Sequence, residues 1–211
     1  MPSLVKLDPR TDELYCAGRR WTGWRQSWQP VGTTPEGLKK VAARVGLTAA
    51  LKANPYRGLP IGIIGPKIAG KEQLSAAERL GGDIAAMNVP LLCGGKTGVM
   101  EAACKGAKSR GGLTIGLLPD EDWTAANDYV DIPLASGIGP SRNAIIARAC
   151  PVLIAIGGEY GTLSEVAFGL HFGRRVICLC GAPDVAGVSH AAGIDEALEL
   201  AAAAYLNLDK D

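Results

Sequence analysis

Hydrophobic residues in this chain gather in short runs, each closed by Gly or Pro and followed by a longer stretch with apolar residues on one side only. Runs of four to six apolar residues with turn residues at their ends predict buried strands, and three-to-four spacing over ten or more residues predicts amphipathic helices. On that basis strands are expected at 61–64, 90–93, 113–118, 152–156 and 175–180, with a short one within 128–133. Helices are expected at 71–87, 99–109, 141–149, 162–172 and 194–205. Strict alternation of the two predicts a Rossmann-like, doubly wound α/β fold: a mainly parallel sheet with helices on both faces and right-handed crossovers. In such sheets ligands sit beyond the carboxyl ends of the strands.

Residues 1–57 break the pattern. They carry Trp21, Trp24 and Trp28 among several arginines, and end in Asn54-Pro55-Tyr56-Arg57-Gly58-Leu59-Pro60, which marks a boundary. The chain therefore divides into an N-terminal Trp/Arg-rich extension, 1–57, and a ligand-binding domain, 58–211. Three uses of the extension stay open: packing on the sheet domain or a neighbouring subunit, a lid over the ligand, or a grip on single-stranded nucleic acid.

The charge balance narrows the choice. With a formal net charge of +1 there is no extended basic surface, which argues against nucleic acid as the partner. No run of 18 apolar residues and no basic leader followed by an apolar stretch is present, so a cytoplasmic protein without membrane association is expected. The six cysteines form no CxxC pair and mostly lie in apolar runs, as buried free thiols in a reducing compartment would. Cys178 and Cys180 are expected on one face of a strand. No metal site is expected, because the histidines number only two: His171, late in a helix, and His190, in a loop.

Four turns at strand ends carry the candidate chemistry. The first, with Gly65 and Pro66, is a weak signal. The second, Gly94-Gly95-Lys96-Thr97-Gly98 followed by Met100, leaves backbone N–H groups free for an anion at a helix start, and Lys96 and Thr97 add a charge and a hydroxyl. It lacks the spacing of a P-loop. The third places Ser141 as a helix cap and Arg142 in the first helical turn, where a cation opposes the helix dipole and so requires an anionic partner. The fourth, Gly157-Gly158-Glu159-Tyr160-Gly161-Thr162-Leu163-Ser164-Glu165, offers a phosphate cradle, or alternatively a capping box in which Glu165 only closes the helix behind Thr162.

Taken together, Gly94-Gly95-x-x-Gly98-Val99-Met100, the 111–119 segment, Arg142 and Gly158-x-Tyr160-Gly161-Thr162-Leu163-Ser164-Glu165 resemble the Lonely Guy (LOG) family and its relatives, often labelled "possible lysine decarboxylase". The resemblance spans about residues 60–182 and implies cleavage of nucleoside 5'-monophosphates to free base and ribose 5-phosphate, with Arg142 and Glu165 as the catalytic pair. Nothing marks a pyridoxal phosphate lysine, so the decarboxylase label is set aside. Glu159, where that family has glycine, together with Glu101 and Gly137-x-Gly139-x-Ser141-Arg142, resembles instead the sister branch that includes the molybdenum cofactor carrier proteins. That branch implies binding of a pterin phosphate, with no catalysis needed for it. No cofactor is required on either reading; the bound species would be the molybdenum cofactor or a nucleotide, and a homo-oligomer, dimer or tetramer, is implied.

Overall fold

A computed structural model describes residues 3–208. The chain opens with five short strands, β1 (Leu4–Leu7), β2 (Leu14–Cys16), β3 (Arg19–Thr22), β4 (Ser27–Pro30) and β5 (Lys39–Ala42), and a helix, α1 (Ala43–Ala53). The strands form an antiparallel sheet in the order β4-β3-β2-β1-β5. Val5 is buried between exposed Leu4 and Lys6, the alternation of a sheet with one dry face. Leu47, Ala50 and Leu51 bury one side of α1 at helical spacing.

The larger part follows as β6 (Ile61–Ile64), α2 (Lys71–Ala86), β7 (Leu91–Cys93), α3 (Val99–Ser109), β8 (Thr114–Leu118), β9 (Ile132–Ala135), α4 (Asn143–Ala149), β10 (Val152–Ile156), α5 (Tyr160–His171), β11 (Arg175–Leu179), β12 (Ser189–His190) and α6 (Ile194–Tyr205). Its seven strands pair in parallel in the order β12-β11-β10-β6-β7-β8-β9. One apolar cluster on the sheet takes in Leu80 of α2, Ala103 of α3 and Leu198 of α6, and a second takes in Ile146 of α4 and Val166 of α5, so helices cover both faces. Strands β6 and β10 are buried along their whole length, as their unbroken apolar runs require in a sheet covered twice.

Helix α1 packs on the antiparallel sheet and docks it against α6. Val5, Leu14, Trp21 and Leu47 belong to the same apolar cluster as Ala197, Ala201 and Tyr205. The Trp28 indole donates to the Leu206 carbonyl at 2.6 Å, and Arg44 pairs with Asp195 at 3.1 Å. Two of the three tryptophans thus serve packing within the chain, while Trp24 stays exposed with the Arg57 guanidinium 5.1 Å above its ring.

Several local expectations change. The fourth helix starts at Asn143 rather than 141, because Gly139–Arg142 forms a 3₁₀ turn around Pro140 and Ser141 caps nothing. The fifth starts at Tyr160, which places Thr162 inside the helix and removes the capping box. The strand sought within 128–133 lies at Ile132–Ala135. His190 sits in β12 and not in a loop, and Cys180 lies past β11 with φ of 50°, so it does not continue the alternation begun at Cys178. All six cysteines are free. Among the described residues no helix is long and apolar enough to cross a membrane.

Candidate functional site

Strand order reverses at the β10-β6 pair: the chain runs outward from β6 through β7, β8 and β9, then returns to β10 on the other side. Connections leaving these two strands diverge to opposite sheet faces and open a crevice at their carboxyl ends. A cleft of about 320 Å³ lies there. Ile63, Ile64, Gly65, Pro66, Lys67 and Ile68 line it from the end of β6, and Gly94 and Met100 from beyond β7. Arg142, Asn143, Glu159, Gly161, Thr162 and Glu165 complete it.

The floor is an ion pair. Arg142 Nη1 lies 3.0 Å from Glu165 Oε1, with the two residues 7% and 6% exposed. Glu165 is therefore the anionic partner that an arginine at a helix start requires, brought in from α5. Burial pushes the Glu165 carboxyl from 4.5 up to about 7, with the arginine's charge and hydrogen bond pulling the other way. Nη1 also donates to Asn143 Oδ1. Both side-chain bonds of Arg142 leave from Nη1, so Nη2 makes none among the described residues. It lies over Gly94: a Cβ there would stand 2.5 Å from Nη2 and 2.9 Å from Met100 Sδ. Glycine is what lets the guanidinium reach this position.

Beside the pair, α5 begins without any side-chain cap, so its first N–H groups have no partner of that kind. Gly161 and Thr162 of this first turn line the cleft, a geometry that can receive an anion. Glu159, exposed, lines the cleft too, and its carboxylate makes no hydrogen bond or ion pair among the described residues. Across the opening, Lys67 and Ile68 form the other lip, Ile68 almost wholly exposed.

Other expected site residues lie elsewhere. Lys96 turns away from the cleft, its Nζ held by Asp120 Oδ2 at 2.9 Å and the Ala125 carbonyl at 3.0 Å. The Thr97 hydroxyl donates to the Lys67 carbonyl at 3.3 Å, and the Gly95 N–H points to Cys93 Sγ at 3.3 Å. Gly98, with φ of 71°, packs so closely under the 65–67 turn that a Cβ would stand 2.4 Å from the Pro66 carbonyl oxygen. These residues shape the wall without lining it. Gly157 donates to the Leu179 carbonyl, Gly158 is partly buried behind the lip, and Ser141 and Tyr160 face outward. Asn143, Lys67 and Ile68 line the cleft although no pattern in the sequence set them apart. An acceptor and a donor group one residue after Arg142 was the only available sign for Asn143. Among the described residues no cluster of three or more His, Cys, Asp or Glu could hold a metal ion.

A Rossmann-like sheet with its cleft at the switch point is the fold of the family to which the chain belongs: the SLOG cluster4 family model matches residues 58–204. Among solved structures the chain is similar to the molybdenum cofactor binding protein of Rippkaea orientalis, at 38% identity over 69% of this chain and 96% of that one, with a TM-score of 0.65. It is equally similar to the molybdenum cofactor carrier protein of Chlamydomonas reinhardtii, at 38% identity over 72% of this chain and 99% of that one, with a TM-score of 0.64. An uncharacterized protein of Archaeoglobus fulgidus is 44% identical over 121 residues, covering 57% of this chain and 80% of its own.

Proposed function

We propose that this protein binds a small phosphate-bearing ligand, pterin-like or nucleotide-like, in the cleft between β6 and β10, with the molybdenum cofactor as the leading candidate. The observation that carries this reading is the divided guanidinium of Arg142: Nη1 is committed to Glu165 and Asn143, and Nη2 is open over Gly94. A planar donor held this way suits a phosphate oxygen, and the uncapped start of α5 adds backbone N–H groups alongside. The likeness to two proteins named for the molybdenum cofactor supports the choice of ligand. The residues named would hold the phosphate of such a ligand; metal chemistry belongs to the cofactor it would carry. Purified protein mixed with the molybdenum cofactor should bind it and slow its loss, measured as reconstitution of a cofactor-free molybdoenzyme over time. Loss at the rate of free cofactor would refute the carrier reading.

A second reading, a nucleoside 5'-monophosphate phosphoribohydrolase, is favoured by one observation. Glu165 faces the cleft with a proton affinity close to neutrality, which suits a group that activates water or stabilises positive charge on a sugar. Its test is release of free base from AMP, GMP, CMP, UMP and isopentenyl-AMP; no release from any of them sinks it. Under either reading we place the protein in the cytoplasm as a dimer or tetramer. Ile145 of α4 and Phe168 of α5, both exposed, supply an apolar surface for such assembly, and light scattering on the purified protein checks the mass.

A further inference from the structure

Asn143 is buried, 6% exposed, directly after the arginine that the proposed ligand meets. Its side chain is used at both ends. Oδ1 accepts from Arg142 Nη1, while Nδ2 donates to Ser164 Oγ at 2.8 Å and to the Gly161 carbonyl at 3.2 Å. Ser164 Oγ donates in turn to the Gly161 carbonyl at 2.7 Å. The two acceptors facing Nδ2 leave the amide one orientation, with its oxygen toward the guanidinium.

The consequence for Arg142 is geometric. Glu165 alone contributes one contact, to Nη1, and a guanidinium held by one contact at one nitrogen can pivot about it. A second acceptor at the same nitrogen, anchored to the first turn of α5, removes that freedom. We infer that Asn143 is a positioning residue: it turns the Nη1 edge of Arg142 toward the protein so that Nη2 faces the cleft, and it couples the guanidinium to the helix start where Gly161 lines the same cleft. The inference rests on the ligand reading above only for what Nη2 meets. The orientation itself belongs to the protein without ligand.

Two measurements on the full chain separate these parts. One is the titration of the Glu165 carboxyl by carbon-13 NMR in the ligand-free protein; the other is the affinity for AMP and for inorganic phosphate by calorimetry. With Asn143→Ala, the loosened arginine should hold Glu165 less well, so its midpoint rises above that of the wild type, and phosphate-probe affinity should fall about tenfold, the value of a charge-assisted hydrogen bond lost to misorientation. Asn143→Leu, which keeps the volume and removes the acceptor, should do the same and serves if the alanine variant does not fold. Ser164→Ala removes one bond of the same network without touching the acceptor for Nη1. It should lower the melting temperature while leaving the Glu165 midpoint and the affinity within about twofold. An unchanged Glu165 midpoint in the Asn143 variants, with only their melting temperature lowered, overturns the inference. A raised midpoint in a protein whose wild type binds neither AMP nor phosphate upholds the positioning role and refutes the ligand reading instead.

Discussion

The chain has two glycine-rich turns at strand ends that look alike as sequence, 94–98 and 157–161, and the structure treats them differently. The first uses its polar groups on its own surroundings: Lys96 is held by Asp120 and Ala125, Thr97 by Lys67, and Asn127 donates to the Lys96 carbonyl at 2.9 Å. The second leaves α5 uncapped and presents Gly161, Thr162 and Glu159 to the cleft. Glycine spacing shows where the backbone can turn sharply. Which turn is open to a ligand depends on where each polar group finds its partner.

Substitutions on either side can break this contrast. The largest effect is expected from Arg142→Ala, which leaves buried Glu165 without its cation: stability should fall by about 3–5 kcal/mol in chemical denaturation, and phosphate-probe affinity by about ten- to a hundredfold in calorimetry. Gly94→Ala puts a methyl where Nη2 lies and should cost about 1–3 kcal/mol, with affinity falling in parallel.

Glu165 supplies a pH test. Its carboxyl is raised in the folded chain from 4.5 to about 7, so the folded state holds a proton that the unfolded state has released between those values. Stability from this group is complete below pH 4.5 and is lost as pH rises to about 7. Glu165→Gln should flatten that part of the stability profile, measured by denaturant midpoint at pH 4 to 8. Glu159→Gln removes a free carboxylate from the lip beside the start of α5 and should tighten phosphate binding about two- to fivefold at low salt. Lys96→Ala should change affinity less than about twofold and stability by under about 1 kcal/mol, since its pair with Asp120 is partly exposed. A large loss of affinity there would mean that the polar groups of the first turn take part in binding after all.

Much of the α/β framework was legible because its signals are local. The strands at 61–64 and 152–156 and the helices at 99–109 and 194–205 fall where apolar runs and periodicity predict them. The N-terminal sheet was not, because strands such as Arg19–Thr22 are four residues long and gain their order by pairing with Ser27–Pro30 across a turn. The same division runs through the site. Arg142 could be singled out by an electrostatic conflict visible in the sequence, and Glu165 by its place in a motif. Asn143 acquires its role from Gly161 and Ser164, eighteen and twenty-one residues away, and the direction taken by Lys96 from Asp120, twenty-four away. Such partners leave no periodic trace.

The bond from Trp28 to Leu206 joins residues 178 positions apart. Synthesis runs from the antiparallel sheet and α1, which closes over Val5 and Leu14 at Gly46, toward α6, so the face of α1 that packs on α6 leaves the ribosome long before its partner. Over that interval the nascent chain carries an uncovered apolar surface, and chaperone binding to it should end only once α6 has docked.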